Sequence, residues 1–486
     1  MYHVTDFKKY ERCPRMFWLS RKERKSYIPF INYNMNMGDL CRELLMVRNA
    51  FEGETNDDPQ KALDALATHE WLCNARFAYE DLRVKIPFLY QEEGKRIVYF
   101  PYISCYPKEQ EAQRLADTLT VMELIGVKID EVYVIHLNAE YTRHGELKIT
   151  ELLMINDHLY NGKNKPSKTI VSLMQGCKRD VVSLLNELRA CEASENVTVV
   201  RSNACTRGLK CSYMDDCFPE ILSSTSILHL IASSKKYEMY AEGIHDIKDV
   251  DVERIEGTRH QYAQIMAAKH GRYVDQPALR TWIKDHISYP ISYLDFEWET
   301  YAFPQYDGLK PFDVICFQYS LHIEEKGKDL THTGFIDTGD CRKAFVESLI
   351  ANIPLQGSIL VYNMEGAEKL RLVQLAQQYP EYAGKLKSIW ERMVDLSLPF
   401  STGNLYDNRM AGFFSLKTLV PIFSDYSYQD LDISYGMDAV ERYRELASAD
   451  DTTNKEIREQ LDAYCAMDTY AEYIVYHAIE KLAWEE

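Results

Sequence analysis

Residues 291–486 alternate short apolar runs with amphipathic segments, a pattern that predicts a sheet covered by helices. Strands are predicted at 291–299, 314–323, 331–337 and 358–363, and helices at 342–352 and 365–379. A long closing helix is predicted from about residue 454 to residue 484. Three strands followed by a helix, a strand and a helix indicate an α/β domain.

The first half of the chain opens helically and then offers strands at 96–103 and 132–137 around an amphipathic helix at 108–125. Residues 223–288 place apolar side chains such as Ile227 and Leu230 at helical spacing, which predicts a helical connector. One boundary falls after Pro219, and another at Tyr289-Pro290, where a helix must stop before proline. The predicted segments are 1–222, 223–290 and 291–486.

Composition excludes several classes of protein. Of the 486 residues, 46% are hydrophobic and 27% are charged, which excludes general disorder. No run approaches the ~18 apolar residues of a membrane span, and the N-terminus lacks the apolar segment of a secretory signal. We therefore expect a cytoplasmic protein without a membrane partner. Its 12 cysteines should stay reduced, which makes metal or cluster ligation worth considering.

The formal charge of −18 argues against a generally basic nucleic-acid-binding protein. The charge is uneven, because residues 1–222 sum to about −2 and residues 223–486 to about −16, whereas residues 1–30 reach about +5. The acidic half is compatible with a solvated surface, and also with a nuclease whose carboxylates hold cations.

Three carboxylates alternate along the first strand of the C-terminal segment. In Ile291-Ser-Tyr-Leu-Asp295-Phe-Glu297-Trp-Glu299, the acidic side chains share one face and the apolar side chains share the other. Neighbouring carboxylates repel one another, and a divalent cation with oxygen ligands is the usual solution. The alternative is the solvated face of an edge strand.

Further acidic and phenolic candidates lie on two later segments. The predicted strand at 358–363 is followed by Glu368, one turn into the next helix, so its carboxylate can point toward the strand end. The closing helix carries Tyr464 and Asp468 at positions i and i+4, on one face. Each signal is weak alone, and the combination is more specific.

This order of motifs resembles the DEDD superfamily of 3′-5′ exonucleases, in its tyrosine-containing subtype, over about residues 291–486. Val394-Asp395-Leu396 and Ser415-Leu416-Lys417 also resemble elements found between those motifs. The resemblance implies a ribonuclease-H-like fold and a nucleic-acid substrate with a single-stranded 3′ end. It also implies two Mg²⁺ or Mn²⁺ ions about 4 Å apart, held by Asp295, Glu297, Glu368 and Asp468, with Tyr464 orienting the attacking water. In one departure, the second motif usually supplies Asp, and Glu368 is one methylene longer.

Four cysteines form a second group of candidate metal ligands. Cys205, Cys211 and Cys217 are evenly spaced in a loop-like stretch, and Cys13 stands in a Cys-Pro-Arg context. This spacing argues against a zinc ribbon, whose cysteine pairs are usually two to four residues apart. Four thiolates suit a [4Fe-4S] cluster, and a Zn²⁺ ion is the alternative metal that they could bind. Isolated buried thiols are the remaining interpretation.

One early and three late cysteines resemble the RecB-like iron-sulfur nucleases of the CRISPR-adaptation type over about residues 1–222, a likeness that includes the strand at 132–137. It implies a PD-(D/E)xK fold whose two ends are joined by the cluster. Its catalytic motif is missing: Lys85 stands where Asp is expected, Pro101 and Ile103 replace the Glu-x-Lys pair, and no Gln is found around Asp117 and Thr118. The whole chain resembles a bacterial family, with a domain of unknown function, that joins such a degenerate domain to a DEDD-like one.

Two functional hypotheses follow. The first is a metal-dependent 3′-5′ exonuclease, with or without a helicase, repair or defence partner, whose Trp298 and Tyr301 either stack on bases or pack in the core. Its N-terminal domain would contact phosphates through Arg15, Arg21, Lys22, Arg24 and Lys25. The second is a structural or regulatory nucleic-acid-binding protein in which both nuclease sites have been lost.

Overall fold

The computed structural model describes residues 1–25, 31–433 and 435–485. The chain folds into two compact units. Unit 1 comprises Met1–Pro219 and Tyr301–Asp313, and unit 2 comprises Glu220–Thr300 and Val314–Glu486. Both are mixed α/β, with parallel and antiparallel strand pairs in their larger sheets. Within the described residues, no helix combines the length and the apolar character that crossing a bilayer requires.

Unit 1 combines a main mixed sheet with further short strands and with helices. Its strands are β1 (Tyr2–His3), β2 (Ile31–Asn32), β3 (Ala50–Glu52), β4 (Trp71–Tyr79), β5 (Leu82–Glu92), β6 (Lys95–Tyr102), β7 (Glu131–Leu137), β8 (Leu153–Asn156), β9 (His158–Tyr160) and β10 (Pro166–Thr169). Its helices are α1 (Val4–Arg12), α2 (Pro14–Lys22), α3 (Met37–Leu44), α4 (Pro59–Ala65), α5 (Glu111–Leu124), α6 (Ile149–Leu152), α7 (Ile170–Gly176), α8 (Val181–Ala193) and α9 (Met214–Cys217).

The main sheet of unit 1 has the order β3-β4-β5-β6-β7-β8, with β1 beside β5. The pairs β3–β4 and β6–β7 are parallel, and β4–β5–β6 form an antiparallel meander. Leu115 and Val121 of α5 share a buried apolar core with Leu72 and Val98 of the sheet. The predicted strands at 96–103 and 132–137 and the helix at 108–125 correspond to β6, β7 and α5.

Unit 2 contains the remaining elements. Its helices are α10 (Lys236–Ala241), α11 (Arg259–His270), α12 (Gln276–His286), α13 (Arg342–Asn352), α14 (Glu368–Gln378), α15 (Ala383–Trp390), α16 (Leu398–Ser401), α17 (Leu416–Phe423), α18 (Gly436–Leu446) and α19 (Asp451–Trp484). Its strands are β11 (Arg272–Val274), β12 (Ile291–Tyr301), β13 (Val314–Glu324), β14 (Thr331–Ile336), β15 (Ile359–Val361), β16 (Met393–Asp395) and β17 (Leu405–Asp407).

The main sheet of unit 2 runs in the order β14-β13-β12-β15-β16. The pairs β14–β13 and β13–β12 are antiparallel, whereas β12–β15 and β15–β16 are parallel. Leu294 and Phe296 of β12 pack on α13 and α14 in a core that includes Phe345 and Leu372. Because side chains alternate along a strand, Asp295 and Glu297 face the other side of β12.

Helix α19 covers the face of the sheet that carries the acidic residues. It begins after Asp450, whose carboxylate accepts a hydrogen bond from the Thr453 amide at 2.8 Å and so caps the helix. The amide of Gln318 in β13 donates to the Leu461 carbonyl at 2.9 Å. The long helix thereby brings its buried side chains against the central strands.

The segment at 223–290 differs from the predicted connector of helices. It belongs to unit 2 and contains, besides α10, α11 and α12, several short 3₁₀ turns. Ile227 begins one such turn, capped by the Ser226 hydroxyl, and packs with Leu230 in a small core of its own. Apolar residues spaced three apart suit a 3₁₀ turn as well as an α-helix, which is why the pattern misled.

Candidate metal centre

Three acidic side chains from distant parts of the sequence converge in unit 2. Asp295 and Glu297 extend from β12, and Asp468 extends from α19. One carboxylate oxygen from each lies within 4.8 Å of one from each of the others. Asp468 is only 8% exposed, so little water is available to screen the three charges.

Glu299 was expected to join the acidic face, and the structure gives it another role. The pairing register between β12 and β13 shifts between Glu297 and Trp298. The Glu299 carboxylate is fully buried and accepts hydrogen bonds of 2.6 and 2.9 Å from the guanidinium of Arg444 in α18. Its charge is therefore compensated locally, away from the three converging carboxylates.

Glu368 borders the cluster without belonging to the tightest group. It is the first residue of α14, and not one turn inside the helix as predicted. The loop before it is fixed by Asp395, whose carboxylate accepts from the backbone amides of Asn363 and Met364 at 3.1 and 3.2 Å. The Glu368 side chain is 1% exposed, and its Oε2 has no hydrogen-bond partner.

Two phenols and a lysine surround Asp468. Tyr428 donates a hydrogen bond of 2.6 Å to Asp468 Oδ1. Tyr464 Oη accepts a hydrogen bond of 3.0 Å from the ammonium of Lys417 in α17. Sequence reasoning identified Tyr464 and noted the stretch around Lys417, but it missed Tyr428, since tyrosine is abundant in this chain.

The electrostatics of the cluster favour a cation. Burial, followed by the neighbouring acidic charges, raises the pKa of Asp295 well above its usual value, and burial and Asp468 do the same for Glu297. Burial raises the pKa of Glu368 to about 8 and that of Asp468 to about 6. Carboxylates in this state are unstable as anions unless a positive charge is present, and oxygen ligands suit Mg²⁺ or Mn²⁺. The residues present therefore fit divalent cations.

Glu472, which sequence reasoning missed, lies one turn after Asp468 on α19. It is fully buried, and neither carboxylate oxygen makes a hydrogen bond of ordinary geometry. Its only sequence signal is the spacing of Tyr464, Asp468 and Glu472 at i, i+4 and i+8, which places the three on one helix face.

Trp298 packs in the interior. It is partly buried against the apolar core of unit 2, and the guanidinium of Arg371 lies 4.9 Å from its ring centroid. Of the two predicted roles, core packing describes this side chain. Tyr301 ends β12 and is partly buried in unit 1.

In unit 1 the four predicted cysteine ligands line one small cavity of about 20 Å³. Cys13 joins α1 to α2, Cys217 ends α9, and the Cys211 amide donates to the Cys205 carbonyl at 2.8 Å. All four are partly buried free thiols, and burial raises the pKa of Cys217. Cys41, Cys73 and Cys316 are buried core residues, as expected.

The predicted phosphate contacts are largely occupied within unit 1. Arg15 donates to Asn196 at 2.8 Å, Arg21 pairs with Glu192 at 3.0 Å, and Lys25 pairs with Asp216 at 2.5 Å. The Lys22 ammonium lies 3.3 Å from the centroid of the Trp18 ring, and Arg24 is exposed. Arg15, Arg21 and Lys25 thus tie the first helices to the stretch at 192–216.

The strands expected to carry a PD-(D/E)xK site are basic where acids are needed. Lys85 on β5 lies opposite Arg76 on β4. Burial and the Arg76 charge lower the pKa of Lys85. Asp117 of α5 is buried and accepts hydrogen bonds of 2.8 and 2.6 Å from Arg179, so it serves an internal ion pair. It also accepts a hydrogen bond of 3.0 Å from Gln113, so the expectation that no Gln lies around Asp117 was wrong.

Residues 292–415 match the model of DUF2779, described as a domain of unknown function. No curated protein and no solved structure gives a significant match to the chain. The matched range contains Asp295, Glu297 and Glu368 and ends before Tyr464 and Asp468.

Proposed function

We propose that unit 2 is a DEDD-type, metal-dependent 3′-5′ exonuclease that hydrolyses phosphodiester bonds of nucleic acids. The convergence of Asp295, Glu297 and Asp468 carries this proposal, since these three are acidic residues of its first and third motifs. The sheet supports it as well, because its strands follow the order 3-2-1-4-5, with antiparallel pairs on one side and parallel pairs on the other, as expected for a ribonuclease-H-like fold.

Asp295, Glu297, Glu368 and Asp468 would hold the cations. When bound, two Mg²⁺ or Mn²⁺ ions supply Lewis-acid chemistry that activates water and neutralises charge on the departing oxygen. Hydrolysis forms a bond between the water oxygen and phosphorus, breaks the bond from phosphorus to O3′, and leaves a proton on O3′. No covalent bond between protein and substrate is needed.

Tyr464 is the residue suited to orient the attacking water. Its hydroxyl oxygen accepts a hydrogen bond from Lys417, and the hydroxyl also interacts with the Asp468 carboxylate, which keeps the phenol beside a proposed metal ligand. Tyr428 holds Asp468 in one orientation through its 2.6 Å hydrogen bond. Both phenols thus act on Asp468, and Tyr464 is the one that Lys417 also holds.

Glu368, whose side chain is one methylene longer than the Asp usual in the second motif, is compatible with this site. Because it is the first residue of α14 and is 1% exposed, its side chain extends into the interior from the start of the helix. Its Oε2 is left without a partner, which is the state expected of a ligand awaiting a cation.

We propose that unit 1 binds nucleic acid and holds an iron-sulfur cluster without hydrolysing its ligand. Four thiolates around Zn²⁺ would stand about 3.8 Å apart, whereas among the described cysteines no three sulfur atoms lie within 4.8 Å of one another. Sulfur atoms spaced more widely than a single zinc ion requires support a [4Fe-4S] cluster. Lys85 at the position where Asp is expected, and Pro101 and Ile103 in place of the Glu-x-Lys pair, support the loss of hydrolysis.

End-labelled substrates test the exonuclease proposal. With Mn²⁺, wild-type protein should release a 3′ label from single-stranded DNA or RNA before the 5′-labelled strand is consumed, and EDTA should stop the reaction. Protein carrying Asp468→Asn, purified in parallel, should lose the activity at least about a hundredfold. Degradation that is equal in both proteins, or absent from both, contradicts the exonuclease and favours the binding protein described next.

The second candidate function is a nucleic-acid-binding protein without catalysis, which the altered strands of unit 1 favour. Binding by wild-type and Asp468→Asn protein would then be equal, and it would weaken with salt as counterion release requires.

Anaerobic purification tests the cluster. The wild-type protein should be brown and contain about four iron atoms per chain, and Cys211→Ser should lose colour and iron. Cys41→Ser, which changes a core thiol outside the cavity, is the matched control. A colourless wild-type protein with one zinc per chain would contradict the iron assignment.

A further inference from the structure

Glu472 is buried in a way that its surroundings do not explain structurally. Its side chain has no exposed surface, and both carboxylate oxygens lack a hydrogen bond of ordinary geometry. Leaving a buried carboxylate without a partner is costly, and it is uncommon in folded proteins. A residue that persists in this state points to a ligand.

Other buried carboxylates in unit 2 show the usual solution. Glu299 is held by the guanidinium of Arg444. Asp407, 4% exposed, accepts hydrogen bonds of 2.8 and 2.9 Å from Arg272 and Arg409. Unit 2 therefore pairs the buried acids that serve its own stability, and Glu472 differs from them.

The charged groups that act most strongly on Glu472 are acidic. The charges of Asp295, Glu368 and Asp468 all disfavour its ionised form, and the backbone amide of Leu294 partly offsets them. The hydroxyl of Tyr362, just after β15, is also buried without a hydrogen-bond partner. Burial raises the pKa of this hydroxyl, and the charges of Asp395 and Glu472 raise it further. Glu368, Glu472 and Tyr362 thus each have a buried oxygen without a hydrogen-bond partner, and the acidic charges of the cluster act on Glu472.

Helix geometry explains how Glu472 reaches this position. Successive turns of α19 present Tyr464, Asp468 and Glu472, each displaced by about 6 Å along the helix axis. Asp468 lies with Asp295 and Glu297, and Glu472 lies one turn further along the covered sheet.

We propose that Glu472 is a fifth carboxylate ligand of the metal centre, and that it shares with Glu368 a cation position beside the one formed by Asp295, Glu297 and Asp468. This assignment rests on the metal-binding part of the proposed function. Two positions would divide the five carboxylates, so that no acidic side chain of the cluster is left uncompensated.

Calorimetric titration of EDTA-treated, full-length protein with Mn²⁺ tests the assignment. Wild-type protein should bind two ions. Glu472→Gln, which keeps the shape of the side chain and removes its charge, should bind one ion with affinity within about twofold of wild type and the second at least tenfold more weakly. Glu459→Gln, on an exposed position of the same helix, should behave as wild type. An unchanged two-site isotherm for Glu472→Gln would overturn the assignment.

A second measurement does not depend on how the variant folds. Anomalous diffraction at the manganese edge from wild-type crystals should place an ion ~2.0–2.6 Å from a Glu472 oxygen. Ions bound only beyond that distance would overturn the assignment.

The two proposals can fail separately. Two Mn²⁺ ions whose binding depends on Glu472, in a protein that degrades no nucleic acid, would overturn the proposed activity and keep Glu472 as a ligand. Degradation of nucleic acid by a protein whose two-site isotherm ignores Glu472 would do the reverse.

Discussion

Asp295→Asn should change activity and metal-free stability in opposite directions. The exonuclease rate should fall about a thousandfold, equivalent to roughly 4 kcal/mol, because the central ligand of the site loses its charge. In EDTA, the same variant should unfold at least ~2 °C above wild type, because one of several mutually repelling, partly or fully buried acids has been neutralised. A residue that only stabilised the fold would lower both quantities.

The stability gain of Asp295→Asn should depend on pH. Because the pKa of Asp295 is raised in the folded protein, the metal-free wild type loses stability as pH rises above the unfolded value of about 4. The gain should therefore be small near pH 4 and larger at pH 8, a range that also spans the pKa values of about 6 for Asp468 and about 8 for Glu368.

Thermal unfolding in EDTA at several pH values measures this dependence. Asp329→Asn, in an exposed turn of unit 2, is the matched control and should change neither rate nor stability. A loss of metal-free stability in Asp295→Asn at pH 8 would show that the carboxylates are not in mutual repulsion.

Arg444→Met should destabilise unit 2 by about 3–5 kcal/mol, the usual cost of removing one partner from a buried ion pair. The fully buried Glu299 carboxylate, which also accepts from the Thr300 amide at 3.1 Å, would lose two charged hydrogen bonds. Urea unfolding measures the effect. The transition of unit 2 can be recognised because added Mn²⁺ should shift it to higher urea concentration.

The double variant that carries both Arg444→Met and Glu299→Gln is the control for Arg444→Met. If the loss comes from an uncompensated charge, the double variant should be more stable than Arg444→Met alone. Equal or greater loss in the double variant would assign the effect to packing of the Arg444 side chain.

The elements of the larger sheets could be predicted well from sequence, and the residues between them could not. Strands β12 and β13 and helix α13 match their predicted ranges closely. The start of α14 at Glu368 was missed, because Asn363 takes a positive φ of 64° and Asp395, far along the chain, fixes that loop. Likewise, Tyr301–Asp313 belongs to unit 1 although its sequence neighbours form unit 2.

The sequence by itself determined which side chains could share a face: Asp295 with Glu297 on a strand, and Tyr464 with Asp468 on a helix. Local periodicity sets these pairs, because it depends only on backbone geometry. Only the tertiary structure decided that Glu299 pairs with Arg444, that Tyr428 donates to Asp468, and that the buried oxygens of Glu472 make no hydrogen bond of ordinary geometry. Those outcomes depend on contacts between elements far apart in the chain, which burial and charge compensation select after the elements have formed.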